Sequence, residues 1–294
     1  MKKVLVTGAS GFIGRHLFPF LKERDYEIFP CYNQNSLDLP SYTHPIQVDI
    51  LNQDERRCLL RELKPSHLIH TAWYVNPKDY LHSIQNIDWM NASIDLYKEF
   101  AQNGGKRCVS VGTCAEYNWS EGFLKEDVTS LQDDTLYAYA KIATHAGLKK
   151  LSQVLNFEMM WGRVFWLYGP GESSQRFIPN LINTLLREEA FVCKDPNKEI
   201  DLMHVKDVAF ALACALESKD TGAFNIASGE SVSIEMIVKK TASILNCPHL
   251  IKFESNNNKQ PKIRASTDKL LSLPHFQRQY DHDKGLNSYI DFLK

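Results

Sequence analysis

The sequence predicts an α/β fold: a parallel sheet with helices on both faces, plus a small C-terminal substrate-binding lobe. Three observations carry that expectation. Short apolar stretches alternate with longer amphipathic ones along the first 168 residues. Those stretches lack strict alternation of polar and apolar residues, as strands buried on both faces do. A glycine-rich turn directly follows the first of them. At 294 residues and 44% hydrophobic content, the chain is long enough for one large domain carrying a smaller lobe.

Taken in order, "KVLVT" and "YEIFP" read as strands on either side of a helix over roughly 12–24. "HPIQVDI" and "HLIHTAW" are the next strand segments, separated by the charged helix "NQDERRCLLRELK", which Pro65 ends. A long helical segment over roughly 78–101 leads into "KRCVSVG", and a helix over roughly 134–153 leads into "NFEMMWGRVFWLYG". Such βα units in series favour a parallel sheet. The texture changes after "YGPGESS", so residues 1–168 are expected to be mainly dinucleotide-binding and 169–294 a mixed region. That second region holds the helix "FIPNLINTLLREE", then "DLMHVKDVAFALACALES" and "GAFNIASGESVSIEMIVKKTASIL". It is expected partly to rejoin the sheet and partly to form the lobe, with "ESNNNKQPK" as a surface loop.

Bulk composition narrows the function. With 34 basic and 35 acidic residues, the formal charge of −1 gives no support to nucleic-acid binding. The seven cysteines are scattered, odd in number and without metal-ligand spacing, so no metal is expected and a reducing, cytoplasmic compartment is. "MKKVLVTGASG" reaches glycine too early for a secretory leader, and no apolar run approaches a membrane span.

"VLVTGASGFIGRHLFPFL" sets Gly8, Gly11 and Gly14 between a strand and a helix. Glycine permits the tight turn and lets the backbone approach a pyrophosphate, toward which the N–H groups of the new helix point. Further on, "LYAYAKIATHAGLKKL" puts Tyr137 four residues before Lys141, one helical turn apart on a shared face. Tyr139 has Ala143 at the same offset and serves as the internal control.

At these residues the chain resembles the extended short-chain dehydrogenase/reductase family of nucleotide-sugar epimerases, dehydratases and reductases, a Rossmann-like fold, over almost its full length. "TGASGFIG" matches the cofactor turn, implying contacts from Gly8, Ser10, Gly11, Phe12, Ile13 and Gly14. "VDI" is similar to the adenine-contacting segment, with Asp49 and Ile50. "HTAW" is similar to the family's His-x-Ala-Ala strand end, giving Thr71 and Ala72, with Trp73 in place of the second alanine. Asn91 fits the asparagine of the long helix. "SVGTCAEY" aligns with the strand end bearing the catalytic serine or threonine, here Thr113, and "YAYAK" with the Tyr-x-x-x-Lys pair, Tyr137 and Lys141. "YGPG" and "HVKDVA" fit two further family segments.

The resemblance implies that Thr113, Tyr137 and Lys141 are catalytic, with Tyr137 and Lys141 also at the cofactor. Their chemistry is compatible with that. A carbonyl being reduced needs a proton, tyrosine near its ordinary pKa gives one up poorly, and a nearby ammonium would favour its phenolate. Thr113 can add a hydrogen bond to the same oxygen. Dehydratases of the family carry Asp-Glu directly after the threonine; here Cys114 and Ala115 follow, and Glu116 comes one place late. Cys114 reads as a small core residue.

The expected reaction is therefore NAD(P)H-dependent reduction of a nucleotide-linked 4-keto-6-deoxyhexose, with Tyr137 protonating the C4 oxygen. The alternatives are a nucleotide-sugar 4-epimerase and a non-catalytic dinucleotide-binding sensor or assembly protein. Trp166 stands where relatives carry Asn near the substrate phosphates, and an indole lacks the amide's acceptor. Arg176, Asn180 and Arg264 are the other substrate candidates, Lys262 competing with Arg264. At the end of the second strand Tyr32 and Asn33 replace the acidic residue of NAD-specific relatives, and Arg15 is the nearest base for a 2′-phosphate. The cofactor expectation leans to NADP(H), with NAD(H) open. A homodimer through the two long helices is expected, offering Ile94, Leu96, Tyr97 and Phe100 from one and Ile142, Leu148 and Leu151 from the other; the same side chains also suit packing on the parent sheet.

Overall fold

The computed structural model describes residues 2–34, 39–254 and 262–294. The chain begins with β1 (Lys2–Thr7), α1 (Phe18–Lys22), β2 (Tyr26–Tyr32), β3 (Ile46–Gln47), α2 (Gln53–Leu63) and β4 (His67–His70). It continues through α3 (Gln85–Gln102), β5 (Arg107–Thr113), β6 (Phe123–Leu124), α4 (Leu136–Leu155), β7 (Glu158–Val164) and β8 (Trp166–Tyr168). Then come α5 (Phe177–Leu186), β9 (Phe191–Cys193), β10 (Glu199–His204), α6 (Val205–Glu217), β11 (Gly222–Ile226) and β12 (Ser231–Ser233). The described residues end with α7 (Ile234–Ile244), β13 (Ile251–Phe253), β14 (Arg264–Ala265), α8 (Asp268–Leu271) and α9 (His282–Leu293).

Seven strands form one parallel sheet in the order β11-β7-β5-β4-β1-β2-β3. The order reverses between β1 and β4, where Thr7 lies in register with His70. A crevice at the carboxyl ends of strands opens at such a switch point, and ligands of open α/β sheets bind there. This positions Gly8 and Thr71 opposite each other. As the patterning predicts, the second half of the chain returns a strand to the sheet: β11 pairs with β7.

The helices follow from composition. α6 is buried on almost every side, with Ala209, Ala211, Ala213 and Ala215 letting it lie close to the sheet. On the other face, Leu96, Tyr97 and Phe100 of α3 and Leu148 of α4 join Leu5, Leu68, Cys108 and Trp161 in one core. Those four helix residues are fully buried within the chain, so they do not form a surface for a second copy. The sheet-packing reading of the two helices is the one realised for them.

Two predicted elements differ. The helix expected over 12–24 is broken into a single tight turn at Gly14–His16 and the short α1, because Pro19 has no N–H to continue the ladder. The strand expected over "HPIQVDI" shrinks to two residues at the sheet edge. The loop "ESNNNKQPK" lies almost wholly outside the described residues.

The C-terminal lobe has its own sheet, β12-β10-β8, covered by α5, α7 and α9 around Leu181, Ile237, Leu286 and Tyr289. Pairing of β6 with β14 ties it to the segment after β5. Among the described residues no helix is long and apolar enough to cross a membrane.

Candidate active site

The glycine turn is dictated by close approach. Gly8 has φ +68°, and a Cβ there would stand 2.6 Å from the Ala72 nitrogen. A Cβ on Gly14 would collide with the Gly8 carbonyl and the Ala9 Cα. The Gly11 N–H donates to the Gly8 carbonyl at 2.9 Å, while those of Ser10, Phe12 and Ile13 meet no carbonyl among the described residues. Bare glycine surface beside unspent N–H groups is what a dinucleotide pyrophosphate requires, so the residues present fit that group. Thr71 closes the far side by donating to the Thr7 and Gly8 carbonyls.

Other members of the expected cofactor set are placed unequally. Asp49 is half-buried and receives the Leu51 N–H; Ile50 is buried, its carbonyl taken by Arg56. Tyr32 ends β2, and Asn33 follows it, exposed. Arg15 folds back onto its own turn, donating to the Ser10 and Gly11 carbonyls and lying against Gly171. Asn91 is exposed on α3, on a different face from the buried Asn86 and Ser93. It is Asn86 that reaches the expected site, accepting from Trp73 Nε1 at 2.9 Å.

Thr113, at the end of β5, and Tyr137 and Lys141, at the start of α4, come together. The Thr135 hydroxyl caps α4 by accepting from the Ala138 N–H, which starts the helix so that Tyr137 and Lys141 sit in its first turns, facing inward. Lys141 Nζ donates to the Val111 carbonyl at 2.9 Å, two residues before Thr113 on the same strand. Tyr139 points outward, nearly half exposed.

Burial acts against the phenolate at Tyr137: it raises the Tyr137 pKa, and the Thr113 side chain opposes the shift. Burial thus favours the protonated phenol of Tyr137. Lys141 is itself depressed to about 7 by burial, with Glu116 partly offsetting the loss. Its ammonium has no carboxylate partner among the described salt bridges and lies 3.6 Å from the Trp73 ring centroid.

Glu116 is committed to structural partners. It is fully buried, accepting from Arg163 Nε at 2.7 Å, from Trp161 Nε1 and from the Thr113 N–H. Arg163 then reaches Tyr117, whose hydroxyl bonds Asn225. His70 is equally structural: its ring nitrogens meet the Thr7 and Ser93 hydroxyls, and burial lowers its pKa to about 3.

The substrate candidates divide. The Arg176 guanidinium stands 5.2 Å over the Tyr80 ring, and that ring packs edge-on to Tyr137 at 5.1 Å. Trp166 packs 5.1 Å from Trp119, whose indole N–H donates to the Cys114 carbonyl next to Thr113. Asn180 is exposed one turn along α5. Arg264 lies over Phe123 in a pocket with Glu199, Glu230 and Lys262, and no contact among the described residues brings it to Tyr137. Tyr80 and Asn86 escaped sequence reasoning: one lies in an irregular segment and the other in a helix whose register alone gave no signal.

Comparison with known proteins agrees with this geometry. The dTDP-4-dehydro-6-deoxyglucose reductase of Escherichia coli is 26% identical over 85% of this chain and 84% of its own length. A UDP-N-acetylglucosamine 4-epimerase from Methanobrevibacter ruminantium, solved in complex with UDP-N-acetylmuramic acid, shares the fold with a TM-score of 0.88 at 21% identity, covering 99% of this chain and 98% of the other. The UDP-glucose 4-epimerase of Thermus thermophilus, in complex with NAD, gives 0.86 at 21% identity, with the same coverage. Residues 4–227 match the NAD dependent epimerase/dehydratase family. With its glycine cradle at the switch point and the Tyr137–Lys141 pair beside it, the chain belongs to that family of nucleotide-sugar enzymes.

Proposed function

We propose that the site inverts the C4 hydroxyl of a nucleotide-linked hexose, as a 4-epimerase. The convergence of Thr113, Tyr137 and Lys141 beside the glycine cradle is the observation that carries this reading. A dinucleotide bound in its oxidised form would supply the acceptor for the C4 hydride and then the hydride for its return to the ketone. Tyr137 exchanges a proton with the C4 oxygen, and Thr113 holds that oxygen with a second hydrogen bond. Lys141 provides the local positive charge and a donor for a nicotinamide ribose. Glu116, locked against Arg163, is not free for the proton transfers of a water elimination, which argues against dehydration.

The full-length 4-epimerase neighbours back this reading better than the net reduction expected from sequence. Reduction of a 4-keto-6-deoxyhexose stays as the second reading because of the Escherichia coli reductase. Incubation with nucleotide-linked hexoses and their 4-keto-6-deoxy derivatives, following products and cofactor together, separates the two. C4 epimers formed without net cofactor consumption support epimerisation; stoichiometric oxidation of the reduced cofactor returns the function to a reductase.

For the cofactor we favour NAD(H) over the NADP(H) preference expected from sequence. Two supports are the NAD in the Thermus thermophilus structure and the engagement of Arg15 with its own turn. Dissociation constants for NADH and NADPH test this, and a tenfold preference for NADPH would reverse it. The remaining proposals are a cytoplasmic location and a homodimer, its interface drawn from the outer faces of α3 and α4, where Tyr139 and Val154 are exposed. Light scattering that finds only monomer at micromolar protein removes the dimer.

A further inference from the structure

Tyr137 and Lys141 are joined twice: once through the turn of α4 they share, and once through a chain of contacts outside it. The Lys141 ammonium faces Trp73 at 3.6 Å from the ring centroid. Trp73 Nε1 donates to Asn86 Oδ1 at 2.9 Å, and Asn86 Nδ2 donates to the Tyr80 and Ser83 carbonyls at 2.6 and 2.9 Å. The Tyr80 ring then packs edge-on to Tyr137, and the Tyr137 N–H donates to the neighbouring Leu81 carbonyl at 3.0 Å. The circuit passes through one residue, Trp73, where the matching strand-end motif would have alanine.

We infer that Trp73 is a positioning residue for the Tyr137–Lys141 pair, its ring face holding the ammonium and its indole N–H fixing, through Asn86, the segment that seats Tyr80 on Tyr137. A buried ammonium has three donors, and among the described residues one carbonyl, that of Val111, accepts from it. The electron-rich face of an indole is the strongest aromatic partner for a cation, and it counts for more where water is excluded. Trp161 lies farther off, at 5.8 Å, with its own N–H committed to Glu116. The other groups facing Lys141 do not replace this contact. Glu116 is paired with Arg163, His70 is held neutral between two hydroxyls, and burial favours the uncharged phenol at Tyr137. His145, on the same helix, stacks on the far indole of Trp161.

The inference rests on the proposed role of the Tyr137–Lys141 pair, but its first test needs no substrate. In protein carrying 13Cε-labelled lysine, the Lys141 signal, assigned by its loss in Lys141→Met, reports the titration of that ammonium. Taking away the ring face disfavours the charged form, so Trp73→Leu should titrate lower than wild type by about one pH unit. Trp73→Phe keeps a weaker face and should fall between them, which preserves the test if the leucine variant does not fold. Wild-type titration in Trp73→Phe, or in a folded Trp73→Leu, overturns the ammonium-holding role.

The second arm is kinetic. Trp73→Phe and Asn86→Leu both cut the indole–amide bond, and each should lower kcat about tenfold while dinucleotide affinity is retained. Unchanged kcat in both overturns the positioning role. Full activity of Tyr137→Phe would instead remove the catalytic reading, and leaves the titration result standing on its own.

Discussion

Glu116 Oε2 and Arg163 Nε meet at 2.7 Å with both side chains sealed from solvent. The pair joins the turn after β5 to β7, directly beneath Thr113, and the second Glu116 oxygen takes the Thr113 N–H. A carboxylate that near the threonine proposed for catalysis invites an acid–base role, yet its lone pairs are already spent on Arg163, Trp161 and the backbone. Its function is to hold the strand end that presents Thr113.

Glu116→Ala should therefore act on stability first. Removing one member of a buried pair leaves the other charge uncompensated, at a cost of about 3–5 kcal/mol. Urea unfolding of Glu116→Ala and Arg163→Met checks this. A variant that keeps wild-type stability but loses turnover would return Glu116 to the chemistry.

Tyr137→Phe keeps the ring against Tyr80 and removes the proton. Turnover should fall on the order of 10²–10⁴-fold with dinucleotide affinity kept, the scale of a positioned general acid. Tyr139→Phe, on the outward face, should leave the chemical step intact. Steady-state kinetics on both variants decide between a proton donor and a packed ring.

Lys141 weakens the fold it serves. Its folded pKa, about 7, lies below its ordinary 10.5 because burial penalises the ammonium. Below about pH 7 both states carry the proton, and the full penalty is present. Between there and 10.5 the unfolded chain binds a proton that the folded chain lacks, so stability rises with pH. Lys141→Met should remove this dependence and stabilise the protein near neutrality by on the order of 1–2 kcal/mol, while abolishing turnover. Denaturation midpoints from pH 6 to 10, compared with wild type, should show the gap closing as pH rises; a constant gap would show that Lys141 is not the titrating group.

Gly14→Ala tests the cradle. The added Cβ meets the Gly8 carbonyl and the Ala9 Cα, both backbone, so neither can swing aside. Dinucleotide affinity should fall at least about tenfold, or 1.4 kcal/mol, and calorimetric titration reads it directly. Unchanged affinity would place the pyrophosphate elsewhere.

The sequence by itself determined the parallel sheet, the glycine turn at Gly8 and Gly14, and the meeting of Tyr137 with Lys141. Each rests on local rules: runs buried on both faces, glycine where the backbone must bend and be bare, and a spacing of four on a helix. Tertiary structure decided what depends on neighbours distant in the chain. It turned Asn86 rather than Asn91 toward the site, folded Arg15 onto its own turn, and set Arg264 with Phe123, away from Tyr137. It also set burial against the phenolate of Tyr137, because the cost of burial comes from everything packed around a group. Spacing along a chain states which side chains share a face; only the packed whole states what that face meets.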